Sequence, residues 1–181
     1  MTVHDLLLQR HSIRRYTDQP IDAEDVKTIL EAALLSPTSK NARSWQFVVV
    51  EDTDTLRSLE KLKPNYATSL KTAPLAVVVT ASPELSEAYI EDATAAAMLM
   101  QLQAADLGIG SCWIQVRGRE QADGEPSENY VRDMLGIPYD MVVECIMTFG
   151  HPDETRKPVD PAKLKWEKVH IGNWRHDAES E

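Results

Sequence analysis

Apolar positions along the chain fall into two kinds of pattern, helical spacings and short β-branched runs. Val3 to Leu8 reads as a short helix. Behind Asp22, the residues Val26, Ile29, Leu30, Ala33 and Leu34 recur at helical spacing, which predicts a helix capped by Asp22 and stopped by Pro37. Phe47-Val48-Val49-Val50 and Ala76-Val77-Val78-Val79 are runs of strand length and predict buried strands. From Ser86 to Leu107 the chain is rich in Ala, Met and Leu, and after Asp92 these cover nearly every face. That predicts a helix buried all round, ended by Gly108. Cys112 to Val116 and Met141 to Phe149 complete the strands.

Polar segments divide these runs. Arg117 to Ser127 has no periodicity and contains Gly118, Gly124 and Pro126, which predicts a surface loop that could act as a lid. After Gly150 the chain is punctuated by Pro152, Pro158 and Pro161, then regains Trp166, Val169, Ile171 and Trp174, as a tail that packs on something would. The last stretch, 175–181, is expected to be loosely held. The sum is an α+β fold with a sheet of four to five strands surrounded by helices.

A chain of 181 residues is expected to form one domain over 1–181. No stretch approaches the roughly 18 uninterrupted apolar residues of a membrane span, and the N-terminus has no apolar signal core, so the expected location is the cytoplasm. Nineteen Lys plus Arg against 29 Asp plus Glu give a formal charge of −10, which opposes binding to nucleic acid or to a membrane surface. A bound phosphate therefore needs a local basic cluster. Arg10, Arg14 and Arg15 form one candidate, and Arg156 with Lys157 forms another at the far end of the chain. Cys112 and Cys145 stand far apart and suggest buried thiols, and the five histidines show no metal-ligand spacing.

If Arg10 to Arg14 is extended, Arg10, Ser12 and Arg14 lie on one face, with His11 and Ile13 on the other. Two guanidinium forks flanking a hydroxyl suit the acceptor oxygens of a phosphomonoester. A solvated basic turn after a helix has the same sequence. Next, Ser36-Pro37-Thr38-Ser39-Lys40-Asn41-Ala42-Arg43-Ser44-Trp45 supplies hydroxyls, an amide and an aromatic just before a strand. Taken alone it is either a binding loop or a helix stop.

Together these segments resemble the nitroreductase family: Arg-x-Ser-x-Arg, then Pro-Thr-Ser-Lys-Asn-x-x-x-Trp, Ala73-Pro74, Asp92 with its Ala-rich helix, residues 107–113 and Gly150-His151-Pro152. The resemblance covers nearly the whole chain. It implies a central, mostly antiparallel sheet and an FMN-dependent obligate homodimer with an exchanged C-terminal tail. It also implies that Arg10, His11, Ser12 and Arg14 hold the FMN phosphate and ribityl chain, with Arg156 and Lys157 closing the clamp. Pro37, Thr38, Ser39 and Asn41 would reach the isoalloxazine from the partner subunit. Asn65 resembles an Asn at the ring edge, though a helix-capping role fits it as well. Trp113, Ile114 and Gln115 would line the flavin, with a backbone amide near Gln115 facing N5; core packing is the alternative for the first two. Many members have glycine where Val116 stands and Gln-Pro where Arg43-Ser44 stand.

The implied activity is a ping-pong cycle in which NADH or NADPH reduces FMN, which then reduces a nitroaromatic, a quinone or a similar small acceptor. The flavin itself carries the redox chemistry, so no side chain is singled out as catalytic. Other flavin chemistry on the same scaffold, such as reductive dehalogenation or flavin fragmentation, and a non-enzymatic flavin-binding role are the alternatives. Gly108-x-Gly110 follows a helix and lacks the third glycine, which excludes a dinucleotide fingerprint.

Overall fold

The four apolar runs become the strands Trp45–Val50 (β1), Leu75–Ala81 (β2), Gly110–Gln115 (β3) and Val142–Gly150 (β4) in the computed structural model, which describes residues 2–62 and 66–174. They are hydrogen-bonded in the order β1-β2-β4-β3, every neighbouring pair antiparallel. All seven residues of β2 are buried, as an apolar run without alternation requires of a strand covered on both faces. Asn65 and residues 175–181 lie outside the described residues.

Among the described residues the α-helices are Val3–Gln9 (α1), which packs on α4, and Ala23–Leu34 (α2), Thr53–Leu59 (α3), Tyr89–Asp106 (α4) and Ser127–Leu135 (α5). On one face Ile29 and Ala33 of α2 join Ala93, Ala96, Ala97, Met100 and Ala104 of α4, packed on Val77, Val79, Cys145, Met147 and Phe149. On the other face Leu56, Leu59, Leu62, Leu70 and Val131 pack on Ala76, Val78, Ile114 and Ile146. α4 ends as its sequence predicts. Gly108, at φ +75°, donates its N–H to Ala105, and Ile109 donates to Ala104, the paired bonds of a left-handed helix cap.

Several expectations are corrected. α4 begins at Tyr89 instead of Ser86, because the Ser86 hydroxyl donates to Asp92 Oδ2 at 3.1 Å and accepts the Ala88 N–H at 3.1 Å, fixing a turn there. Nor is α4 buried all round in one chain: Met98 is exposed, and Leu99 and Leu102 are half-buried. Asp22 occupies the N-cap of α2, but its side chain makes no capping bond among the described residues. α3 and α5 had no predicted counterpart. The polar segment is a surface loop, as expected, over 117–126, closed by a Glu120–Pro126 bridge and by the Ser127 N–H on the Arg119 carbonyl, while Ser127, fully buried, already starts α5. Among the described residues no helix is long and apolar enough to cross a membrane.

Candidate functional site

Segment 12–17 runs from α1 along the start of β3 and beside the chain that leaves β4. Ser12 bridges Ser111 in parallel, the Ile13 N–H donates to the Ser111 carbonyl at 2.9 Å, and the Thr17 N–H donates to His151 at 2.9 Å. Tyr16 anchors the segment. Its buried hydroxyl donates to the Ile13 carbonyl at 2.7 Å and lies 2.9 Å from Thr148 Oγ1, and its N–H donates to Thr72 Oγ1 at 3.0 Å. Burial pushes this hydroxyl's pKa up, so it remains a donor.

This stitching brings both ends of the chain to one cleft of about 180 Å³, whose lining includes Arg10, His11, Ile13, Ser111, Glu154 and Arg156. Arg10 Nη1 donates to Gln101 Oε1 of α4 at 3.3 Å. His11 Nε2 is buried and has no hydrogen-bond partner among the described residues. Glu154 organises the rim, accepting the Arg14 N–H at 2.6 Å and Arg156 Nη2 at 2.8 Å. The Arg14 amide is the main reason that the Glu154 carboxyl is held below its usual range; burial opposes it and Arg156 assists.

A second groove follows β3 onward and is lined by Arg14, Tyr66, Thr68, Cys112, Trp113, Ile114 and Gln115. β3 is an edge strand, and Ser111 turns its carbonyl outward to Ile13. Main-chain groups alternate in direction along a strand, so those of Trp113 and Gln115 also face the open edge. Burial pushes the Cys112 thiol up, opposed by nearby Arg14, so Cys112 presents an uncharged wall.

The structure assembles part of the predicted set. Arg10, His11 and Arg156 share the first cleft, and Arg14, Trp113, Ile114 and Gln115 share the second groove. The predicted two-face alternation is corrected: Arg10 and His11 both line the cleft, because Arg10 is still the C-cap of α1 and the ladder begins only at Ser12. Ser12 is half-buried and Lys157 is exposed, and neither lines either hollow. Glu154 and Gln101 were missed; the only sequence signal for Glu154 was its place two residues before Arg156.

Pro37, Thr38, Ser39 and Asn41 lie elsewhere. Their loop leads into β1, at the opposite edge of the sheet from β3, roughly 14 Å across three interstrand spacings. It is held in an unusual shape, with Lys40, Asn41 and Arg43 at φ between 50° and 57°, where non-glycine residues are strained. Buried Asp92 is the latch, accepting the Ser39 N–H at 2.8 Å on one oxygen and the Ser86 hydroxyl on the other. Asp92→Ala leaves both donors unpartnered, at an expected cost of about 1–3 kcal/mol. A lowered urea midpoint and faster tryptic cleavage after Lys40 and Arg43 would register it; unchanged cleavage would rule out the latch.

A sequence model of the nitroreductase family matches residues 7–74 and 56–151. The chain belongs to the nitroreductase family. Among its relatives, an Archaeoglobus fulgidus protein named as an NADH dehydrogenase/NAD(P)H nitroreductase is 35% identical over 174 residues, covering 93% of this chain and 97% of its own. The solved structure of an FMN-dependent nitroreductase from Clostridium difficile superposes with a TM-score of 0.92 at 42% identity, covering 94% of this chain and 99% of that one. A Vibrio harveyi NADPH-flavin oxidoreductase is 26% identical over 176 residues, covering 88% of this chain and 70% of its own. The antiparallel sheet flanked by helices is thus the nitroreductase fold.

Proposed function

We propose that this nitroreductase-family chain is an FMN-dependent NAD(P)H oxidoreductase that works as a homodimer and passes electrons to a small acceptor, such as a nitroaromatic or a quinone, by a ping-pong cycle. One observation carries the reading. Arg10 and His11 from the N-terminal segment and Arg156 from beyond β4 line one cleft at the start of β3, and a second groove, lined by Arg14 and Trp113 to Gln115, lies further along the same strand.

The donor set fits the cofactor. A phosphomonoester carries about −1.5 to −2 charges and three acceptor oxygens, and the first cleft offers two guanidinium groups and a buried imidazole nitrogen that lacks a partner among the described residues. Glu154 also lines the cleft and pairs with Arg156, and the site still keeps a net positive charge in a chain of net charge −10. Arg10, His11 and Arg156 would hold the phosphate, with Ser12, Arg14 and Lys157 near them along the ribityl chain and at the rim. Trp113, Ile114 and Gln115 would flank the ring, the outward Gln115 amide offering a fixed dipole at its edge. Bound FMN supplies the two-electron chemistry that no side chain here provides.

The same geometry supports dimerisation. Pro37, Thr38, Ser39 and Asn41 sit at the opposite sheet edge from the β3 groove, so the copy of this loop that meets the ring would be a second subunit's. The tail supports the reading: Trp166 is 69% exposed, Ile171 84% and Trp174 73%, surface that exchange onto a partner would cover.

Purified yellow protein mixed anaerobically with NADH or NADPH should bleach within the mixing time and regain its colour on addition of benzoquinone or a nitroaromatic. Flavin that stays oxidised with both donors would overturn the reductase reading and favour a binding role.

A further inference from the structure

The last long strand carries a charge where an apolar residue would serve the fold better. Val79 pairs with Cys145 and Thr80 with Val143, so Glu144 is the extra residue of a β-bulge in β4. Its carbonyl accepts the N–H groups of both Val116 and Arg117. Its carboxylate, 5% exposed, accepts Arg117 Nε at 2.7 Å and Gln115 Nε2 at 3.3 Å. Gln115 Nε2 also donates to the carbonyls of Arg117 and Glu144, each at 3.2 Å, while Gln115 Oε1 accepts the Trp113 indole N–H at 2.9 Å. The carboxylate is thus one of three acceptors that set which way the Gln115 amide points, and through it where the indole is held. A buried carboxylate is costly unless it is paired, and sheet bulges recur where a strand must re-aim a side chain beside a site.

We propose that Glu144 is a positioning residue of the flavin groove: with Arg117 it forms a charge pair that locks the Gln115 and Trp113 side chains along the open edge of β3 and balances the electrostatic potential there. The proposal rests on the reading that the isoalloxazine lies against residues 113–115. Neither Glu144 nor Arg117 lines the groove, so both act through the residues that do and through their charges. The balance matters because reduction places negative charge on the flavin. An unpaired Arg117 would stabilise the reduced form, and an unpaired Glu144 would oppose it.

Three variants test this: Glu144→Gln, Arg117→Gln and the double variant. The midpoint potential of bound FMN is expected to rise in E144Q, fall in R117Q and return towards wild type in the double. A merely structural role would shift both single variants the same way or not at all, and either result overturns the proposal. A second readout needs no flavin. In apoprotein, Glu144→Ala removes one of the three acceptors of the Gln115 amide, so the Trp113 indole N–H resonance, assigned by its absence in W113F, should shift and exchange faster. An indole signal unmoved from wild type overturns the positioning role. Wild-type protein that takes up no FMN would instead sink the flavin reading, and the indole measurement tells the two failures apart.

Discussion

Arg10→Ala combined with Arg14→Ala is expected to yield folded, colourless protein. Truncating one partner of a buried, hydrogen-bonded charge pair costs on the order of 2–5 kcal/mol, and each 1.4 kcal/mol is about tenfold in affinity. Each substitution should therefore weaken FMN binding by roughly 30-fold or more, and the two together should strip the cofactor during gel filtration. Folding should survive. Arg10 makes one long bond, to Gln101, and the bond that fixes Arg14 runs from its main-chain N–H to Glu154, which alanine keeps. Arg15→Ala is the matched control, since Arg15 donates to the Asp153 carbonyl at 3.2 Å and lines neither hollow. Titration of apoprotein with FMN, followed by quenching of flavin fluorescence, measures the loss. A double variant that stays yellow would remove the clamp from the proposal.

The clamp shows what kind of information a sequence holds. Its two halves were visible as basic clusters, but 146 residues separate Arg10 from Arg156, and no periodicity joins positions so far apart. The resemblance joined them, and the Ile13–Ser111 and Thr17–His151 bonds are the physical link. Glu144 was legible only as a lone carboxylate in an apolar run. That it sits on a bulge depends on its pairing with β2, a tertiary fact, and Arg117 looked like the first residue of a featureless loop. Ser12 and Lys157 fit a phosphate site by residue type, and neither is among the residues that line the cleft.

The fold was legible where burial dominates. Ala76 to Val79 was legible as a buried strand and forms the middle of Leu75–Ala81, all seven residues of which are buried, and β1, β3 and β4 followed from similar runs. The short helices escaped because their apolar content is thin. α3 buries only Leu56 and Leu59, and α5 buries Val131 beside the polar pair Glu128 and Arg132, joined at 3.0 Å. Asp52 caps α3, its carboxylate accepting the Thr55 N–H at 2.8 Å, but an Asp before a Thr-rich stretch is as common in turns. The N-cap of α2 errs the other way: Asp22 stands at the right position without making the bond that would justify it.

Gly150→Ala is expected to be among the most destabilising single changes in the chain. A methyl at this position would lie 2.7 Å from Tyr16 Cγ and 2.8 Å from both Tyr16 Cβ and Pro74 Cδ. None of these atoms is the free end of a flexible side chain. The Tyr16 ring is 3% exposed and tied by its hydroxyl to Ile13 and Thr148, so it yields only by breaking those bonds. Overpacking costs about 1–3 kcal/mol, and stranding a buried polar group adds roughly 1–3 kcal/mol. A loss of about 3 kcal/mol in a chain of this size lowers Tm by roughly 6–12 °C. Gly108→Ala provides the contrast: a methyl there meets open space, and the cost is only that of a left-handed φ of +75°, about 1–2 kcal/mol. Urea unfolding of the two variants should rank Gly150→Ala below Gly108→Ala, and the reverse order would show that Tyr16 can move. Because Tyr16 stands two residues from Arg14, a displaced ring also shifts the segment that lines the clefts, so Gly150→Ala should lose FMN at temperatures where Gly108→Ala still holds it.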